Sequence, residues 1–126
     1  MSPLDLACRF FVKGEQDLAA ASALADNLQI SDDIVGFHCQ QAVEKFLKAV
    51  LVKNGVVFRK THDLVELTEL LEDNGLPQPE NRDALDDLGP FAVTARYDFF
   101  DEPVSFDRRL AVQTACSVRD WAADLI

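Results

Sequence analysis

The chain has 126 residues, 48% of them hydrophobic and 27% charged, which is enough apolar side chain for the core of one ordinary domain and too much for a disordered chain. Twelve Lys and Arg against 22 Asp and Glu give a formal charge of -10, which argues against strong non-specific binding of nucleic acid, since that needs a broad basic surface. No apolar run is long enough for a membrane span and no leader pattern opens the chain, so a soluble cytoplasmic protein is expected.

The first helix is predicted over about Leu4 to Leu28. Leu4, Ala7, Phe11, Gly14, Leu18, Ala21, Ala25 and Leu28 alternate spacings of three and four, a packing stripe on one face. Half of that stripe is small, so a neighbouring helix can approach closely at Gly14, offsetting the helix stability a glycine costs. The second helix starts at Ser31, with Asp32 and Asp33 where the helix dipole favours negative charge, and stops at Asn54-Gly55. Its apolar positions, from Ile34 to Val52, cover so wide an arc that it belongs at the centre of a bundle. Thr61 is read as the cap of a third helix, with Leu64, Leu67 and Leu71 as its apolar line and Asn74-Gly75 as its stop. A fourth is predicted over about Glu80 to Ala95, kinked or divided at Gly89-Pro90. A loop carries Tyr97, Phe99 and Phe100. Ser105 is read as capping a last helix that buries Leu110, Ala111, Thr114, Val118, Trp121 and Leu125. With no strand pair, repeat or linker, the fold expected is all-α: an antiparallel up-and-down bundle of four or five helices, residues 1–126 forming one domain.

Cys8, Cys39 and Cys116 are odd in number, far apart and free of any C-x-x-C spacing, so neither a disulfide framework nor a zinc ribbon is expected; they read as small buried hydrophobes. Neither a metal nor another cofactor is expected.

Charge is spread unevenly. Residues 40–60 hold five basic groups, Lys45, Lys48, Lys53, Arg59 and Lys60, and one acid, Glu44. Residues 61–107 hold 13 acids and two bases, Arg82 and Arg96. His38, Gln41, Lys45 and Lys48 follow one another at three, four and three, so they share one helix face. That line is either the partly buried stripe of a core helix or a groove for a phosphate or nucleobase. Glu44 precedes Lys48 by four, the favourable order for a helix ion pair. Arg59-Lys60-Thr61-His62-Asp63 opens a predicted helix, where free backbone N–H groups favour an anion; the plain alternative is a cap with His62 on the surface. There is no Gly-rich phosphate loop, nucleophile elbow, H-E-x-x-H pair or calcium loop.

Phe37 to Leu51 (F-H-C-Q-Q-A-V-E-K-F-L-K-A-V-L), then Thr61-His62-Asp63-Leu64, then Ala95-Arg96-Tyr97, resembles the HEPN (higher eukaryotes and prokaryotes nucleotide-binding) domain family over essentially the whole chain. The resemblance implies a four- or five-helix bundle, commonly dimeric. Members are often encoded beside a minimal nucleotidyltransferase in a toxin–antitoxin-like pair. Others are ribonucleases, and nucleotide binding has been suggested for some. The ribonucleases use an Arg separated by four to six intervening residues from a His, which acts as acid or base across the dimer. Here the matching Arg is Arg96, and Asp101, Glu102 and Pro103 occupy the places of that His. The reading is therefore a non-catalytic module: a homodimer binding a nucleotide or a nucleotidyltransferase partner. The candidate binding residues are His38, Gln41, Lys45, Lys48, Arg59, Lys60, His62, Arg96 and Tyr97, with no catalytic residue and no metal ligand. The alternative is a divergent metal-independent ribonuclease using His62 or His38. The homodimer expectation also rests on an apolar surplus at Phe91, Phe99, Phe100, Phe106 and Trp121.

Overall fold

A computed structural model describes residues 1–92 and 106–126. Among these, the regular elements are α1 (Pro3–Leu24), α2 (Asp32–Lys53), α3 (Leu64–Asp73), two 3-10 segments (Arg82–Asp87 and Gly89–Ala92) and α4 (Arg108–Leu125). The all-α bundle expected from the sequence is the fold observed, with no strand among the described residues.

Ser2 and Asp5 form a reciprocal capping box at the start of α1, with Pro3 as the first helical residue, where its missing N–H costs nothing. The helix ends at Leu24, short of the expected Leu28. The Asn27 side chain accepts from the Gln29 N–H, and backbone bonds Asn27→Leu24 and Ile30→Asn27 replace the helical ladder. Leu28 is consequently 91% exposed, outside the packing stripe to which its spacing assigned it. The small part of the stripe is buried as expected at Ala7, Gly14 and Ala21. At Gly14 a Cβ would stand 2.7 Å from the Phe46 ring, so the glycine is what lets α1 close on α2.

α2 is the centre of the bundle. Val35, Cys39, Ala42, Val43, Phe46, Leu47, Ala49, Val50 and Leu51 are all fully buried. Asn54 and Gly55 stop the helix, Gly55 taking the left-handed φ of 72° that a glycine adopts without steric cost. Phe10 of α1 meets Phe58 beyond the end of α2, while the end of α1 turns directly into the start of α2, so the two run antiparallel. α4 runs beside α2 in the same direction: Arg108 pairs with Asp32 at the helix starts and Lys53 donates to the Leu125 carbonyl at the ends.

Several local assignments differ from the sequence reading. Asp63 caps α3, its carboxylate accepting from the N–H groups of Val65 and Glu66, while Thr61 is two residues upstream and its hydroxyl accepts from the Asp63 N–H. Residues 82–92 form 3-10 turns rather than an α-helix. Leu88 N–H bonds Leu85 and Phe91 N–H bonds Leu88, and Pro90 supplies no donor for a longer ladder. The division expected at Gly89-Pro90 is present. Phe91 is buried, not part of an apolar surplus; its ring lies where a Cβ on Gly36 would stand, at 2.5 Å. Leu110 is 55% exposed, because α4 packs through Ala111, Thr114, Ala115, Val118 and Ala122 one position over. Asp107 caps α4; Ser105, expected in that role, lies outside the described residues. Of the cysteines only Cys39 is buried, and burial pushes its thiol up to about 12; Cys8 is exposed.

Candidate functional site

The polar line on α2 does not form an open groove. It is drawn into two networks, each centred on a carboxylate that bridges one histidine and one lysine. The first joins α1 to α2. Asp17 accepts from His38 Nδ1 at 3.0 Å through one oxygen and from Lys45 Nζ through the other. The second lies inside the bundle. Glu44 accepts from His62 Nδ1 at 2.8 Å and from Gln40 Nε2 at 3.2 Å through Oε1, and from Lys48 Nζ at 3.1 Å through Oε2.

The second network also fixes the chain between α2 and α3. Lys48 Nζ donates to the Thr61 carbonyl at 2.8 Å, Gln40 Nε2 to the His62 carbonyl at 3.1 Å, and Gln41 Nε2 to Gln40 Oε1 at 2.7 Å. Lys48 Nζ also lies 5.7 Å from the centre of the Phe58 ring, within cation–π range. Gln40, Gln41, Glu44 and Lys48 are all buried. A buried ion pair is tolerable only when its remaining hydrogen-bonding capacity is used, and here backbone carbonyls and an amide use it. His62 is the outward member. Its side chain is half exposed, with Nδ1 held by Glu44 and the other ring nitrogen turned away from that bond. Thr61, His62, Asp63, Leu64 and Val65 form one side of a cleft of about 590 Å³; Leu85, Asp86 and Gly89 form the other.

The remaining candidates are separate from these networks. Arg59 pairs with Glu66 across 2.6 Å, and this contact raises the guanidinium pKa and lowers that of the carboxyl. Lys60 is exposed and makes no hydrogen bond or ion pair among the described residues. Arg96 and Tyr97 lie outside the described residues. The helix start expected to receive an anion already holds one, because the Asp63 carboxylate occupies the free N–H groups of α3. Among the described residues no three His, Cys, Asp or Glu side chains converge in a metal-holding group, and no helix is long and apolar enough to cross a membrane.

The spacing argument found one of the acids that neutralise the basic residues and missed two. Glu44 was legible as the helical partner of Lys48, and the ion pair forms as its spacing favours. Asp17 and Glu66 come from other helices and had no local signal. Arg108 was also missed. It donates to the carbonyls of Leu24, Ala25, Asn27 and Ile30 and to Asp32, tying α4 to the α1–α2 turn.

A protein of Methanocaldococcus jannaschii named "Putative toxin MJ1304" is 41% identical over 51 residues, which are 40% of this chain and 32% of that relative. The match therefore spans about a third of the relative's length. No solved structure gives a significant match. The family model described as HEPN domain matches residues 8–125, which takes in α2, α3, α4, most of α1 and both carboxylate networks, and the chain belongs to that family.

Proposed function

We propose that residues 1–126 act as one domain, a non-catalytic binding module of a toxin–antitoxin-like pair that works as a homodimer and docks a partner protein. Family membership suggests a minimal nucleotidyltransferase as that partner, and the resemblance to a protein named as a toxin supports the toxin–antitoxin setting. The observation that carries the reading is that Lys45, Lys48 and Arg59 each already face a carboxylate of their own chain. A nucleotide phosphate at His38, Gln41, Lys45 and Lys48 has to displace Asp17 or Glu44. A protein surface needs no such displacement, because it reads the outside of the bundle. Lys60, His62 and the Glu66-paired Arg59 are the candidates that face outward among the described residues; Arg96 and Tyr97 stay in the proposal from the sequence alone. The absence of a His at 101–103, after Arg96, supports the non-catalytic half.

The test is co-expression with the product of the adjacent reading frame. A dimer in light scattering at about ten micromolar, and a stable complex with that product, are expected. Calorimetry with a nucleotide panel is expected to give no heat. Nucleotide binding lost in both Lys60→Ala and His62→Ala puts the nucleotide reading first instead.

One observation favours a second reading, a ribonuclease using His62. Glu44 fixes the ring through Nδ1 and leaves Nε2 as a candidate proton acceptor for a ribose hydroxyl. RNA cleavage by the wild type that is lost in His62→Gln supports it; intact RNA with both proteins removes it.

A further inference from the structure

Among the described residues the unpartnered cations lie outside α2, two of them on α1. Among the described residues, Arg9, Lys13, Lys60 and Arg109 are the Lys and Arg side chains that make no hydrogen bond or ion pair, and all four are exposed. Three of these surround one feature. Phe10 of α1 packs edge-on against Phe58, ring centres 6.5 Å apart, and both rings remain partly open to solvent. Arg9 precedes Phe10, and Lys13 stands one turn after Arg9 on the same face of α1. Lys60 follows Phe58 by two residues, a reach of about 7 Å at most along the chain. Arg109 lies at the opposite end of α1, beside Ser22 and Asp26.

We propose that this α1 face, Arg9 and Lys13 with Lys60 around the Phe10–Phe58 pair, docks a short acidic segment of a partner protein that also carries an apolar side chain. The proposal deepens the partner-binding reading and rests on it. Charge complementarity selects the occupant. Three uncompensated cations beside two aromatic edges suit a few carboxylates flanking an apolar residue. The patch is followed along α1 by the exposed Glu15, on a chain of net charge -10. A long polyanion such as RNA has to extend beyond the patch over that negative surface, whereas a short segment ends before it.

The test uses the full chain and a labelled ten-residue peptide of glutamates around a central phenylalanine, followed by fluorescence anisotropy. Binding that weakens with added salt is expected, with a loss of roughly tenfold or more in the R9E/K13E/K60E variant. Arg109→Glu, the same charge change at the other end of α1, is expected to leave it unaltered. All four positions are exposed, so circular dichroism and melting should match the wild type in every variant.

Equal peptide binding by wild type and triple variant overturns the patch while leaving a partner-binding role intact, since the peptide then docks elsewhere. No peptide binding by the wild type overturns the patch, and the co-expression complex decides the partner reading separately. Tighter binding of a ten-nucleotide oligouridylate than of the peptide, lost in the triple variant, overturns the protein-segment occupant in favour of RNA.

Discussion

The two carboxylate networks share a design and differ in burial. Asp17 and Glu44 each bridge one histidine and one lysine, both histidines through Nδ1. The Asp17 network crosses the α1–α2 seam near its edge, where His38 and Lys45 keep 28% and 23% of their side chains in water. The Glu44 network lies inside, with Glu44 at 4% and Lys48 at 10%, and it alone donates to backbone carbonyls, at Thr61 and His62. The edge network is a clasp between helices. The inner one fixes the loop that carries His62 and Lys60 to the cleft and outer surface, so burial turns the same chemistry into a positioning device.

The strongest way to break that contrast is Glu44→Gln. It leaves Lys48 buried without a charge partner, and a loss of about 3–5 kcal/mol in chemical denaturation is expected. Glu44→Leu combined with Lys48→Met replaces the pair with apolar side chains and is expected to recover most of that loss, because the cost lies in stranding one charge rather than in losing the pair. A double variant as unstable as Glu44→Gln would show that the network's value is in its bonds to Thr61 and His62.

Gly14→Ala separates the networks by geometry. Its Cβ falls 2.7 Å from the buried Phe46 ring, so α1 must move off α2. A cost of about 1–3 kcal/mol is expected, reduced by the helix preference of alanine. Ring signals of His38, whose Asp17 partner rides on α1, should shift in NMR spectra, and those of His62 should not. Equal shifts at both rings would mean that the two networks are not independent.

Asp17→Asn should cost less than either change, about 1 kcal/mol, because Lys45 and His38 regain water when the seam loses its charge. Glu66 provides the weakest contrast, a partly exposed carboxylate paired with the exposed Arg59. Its carboxyl pKa is lowered by the hydrogen bond from Arg59, so the stability it contributes is present above the ordinary glutamate range and lost as pH falls through its lowered native value. Melting of wild type and Glu66→Gln should differ slightly near neutrality and converge in acid.

Local signals carried far along this chain. The middle of the α1 stripe from Ala7 to Ala21, the apolar breadth of α2, the Asn-Gly stops and the break at Pro90 are all properties of a few neighbouring residues, and each appears in the bundle, while the ends of that stripe, Leu4 and Leu28, are exposed. The motif F-H-C-Q-Q-A-V-E-K with T-H-D-L was enough to point to the family. Helix starts were less legible, because a capping residue is chosen by which side chain reaches the free N–H groups. Thr61 and Asp63 both qualify by type, and the bonds from Lys48 to the Thr61 carbonyl and from Gln40 to the His62 carbonyl hold the segment with Asp63 at the cap.

What the residues determined alone was the helical repeat, the positions of the breaks and the gathering of His38, Gln41, Lys45 and Lys48 on one face. Whether those cations are free to hold a ligand was decided by tertiary structure. Asp17 is 28 residues from Lys45 and Glu66 is seven from Arg59, so pairing depends on how helices and loop are brought together. Periodicity reports which way a side chain points along its own helix, and the charge it meets there belongs to another part of the chain.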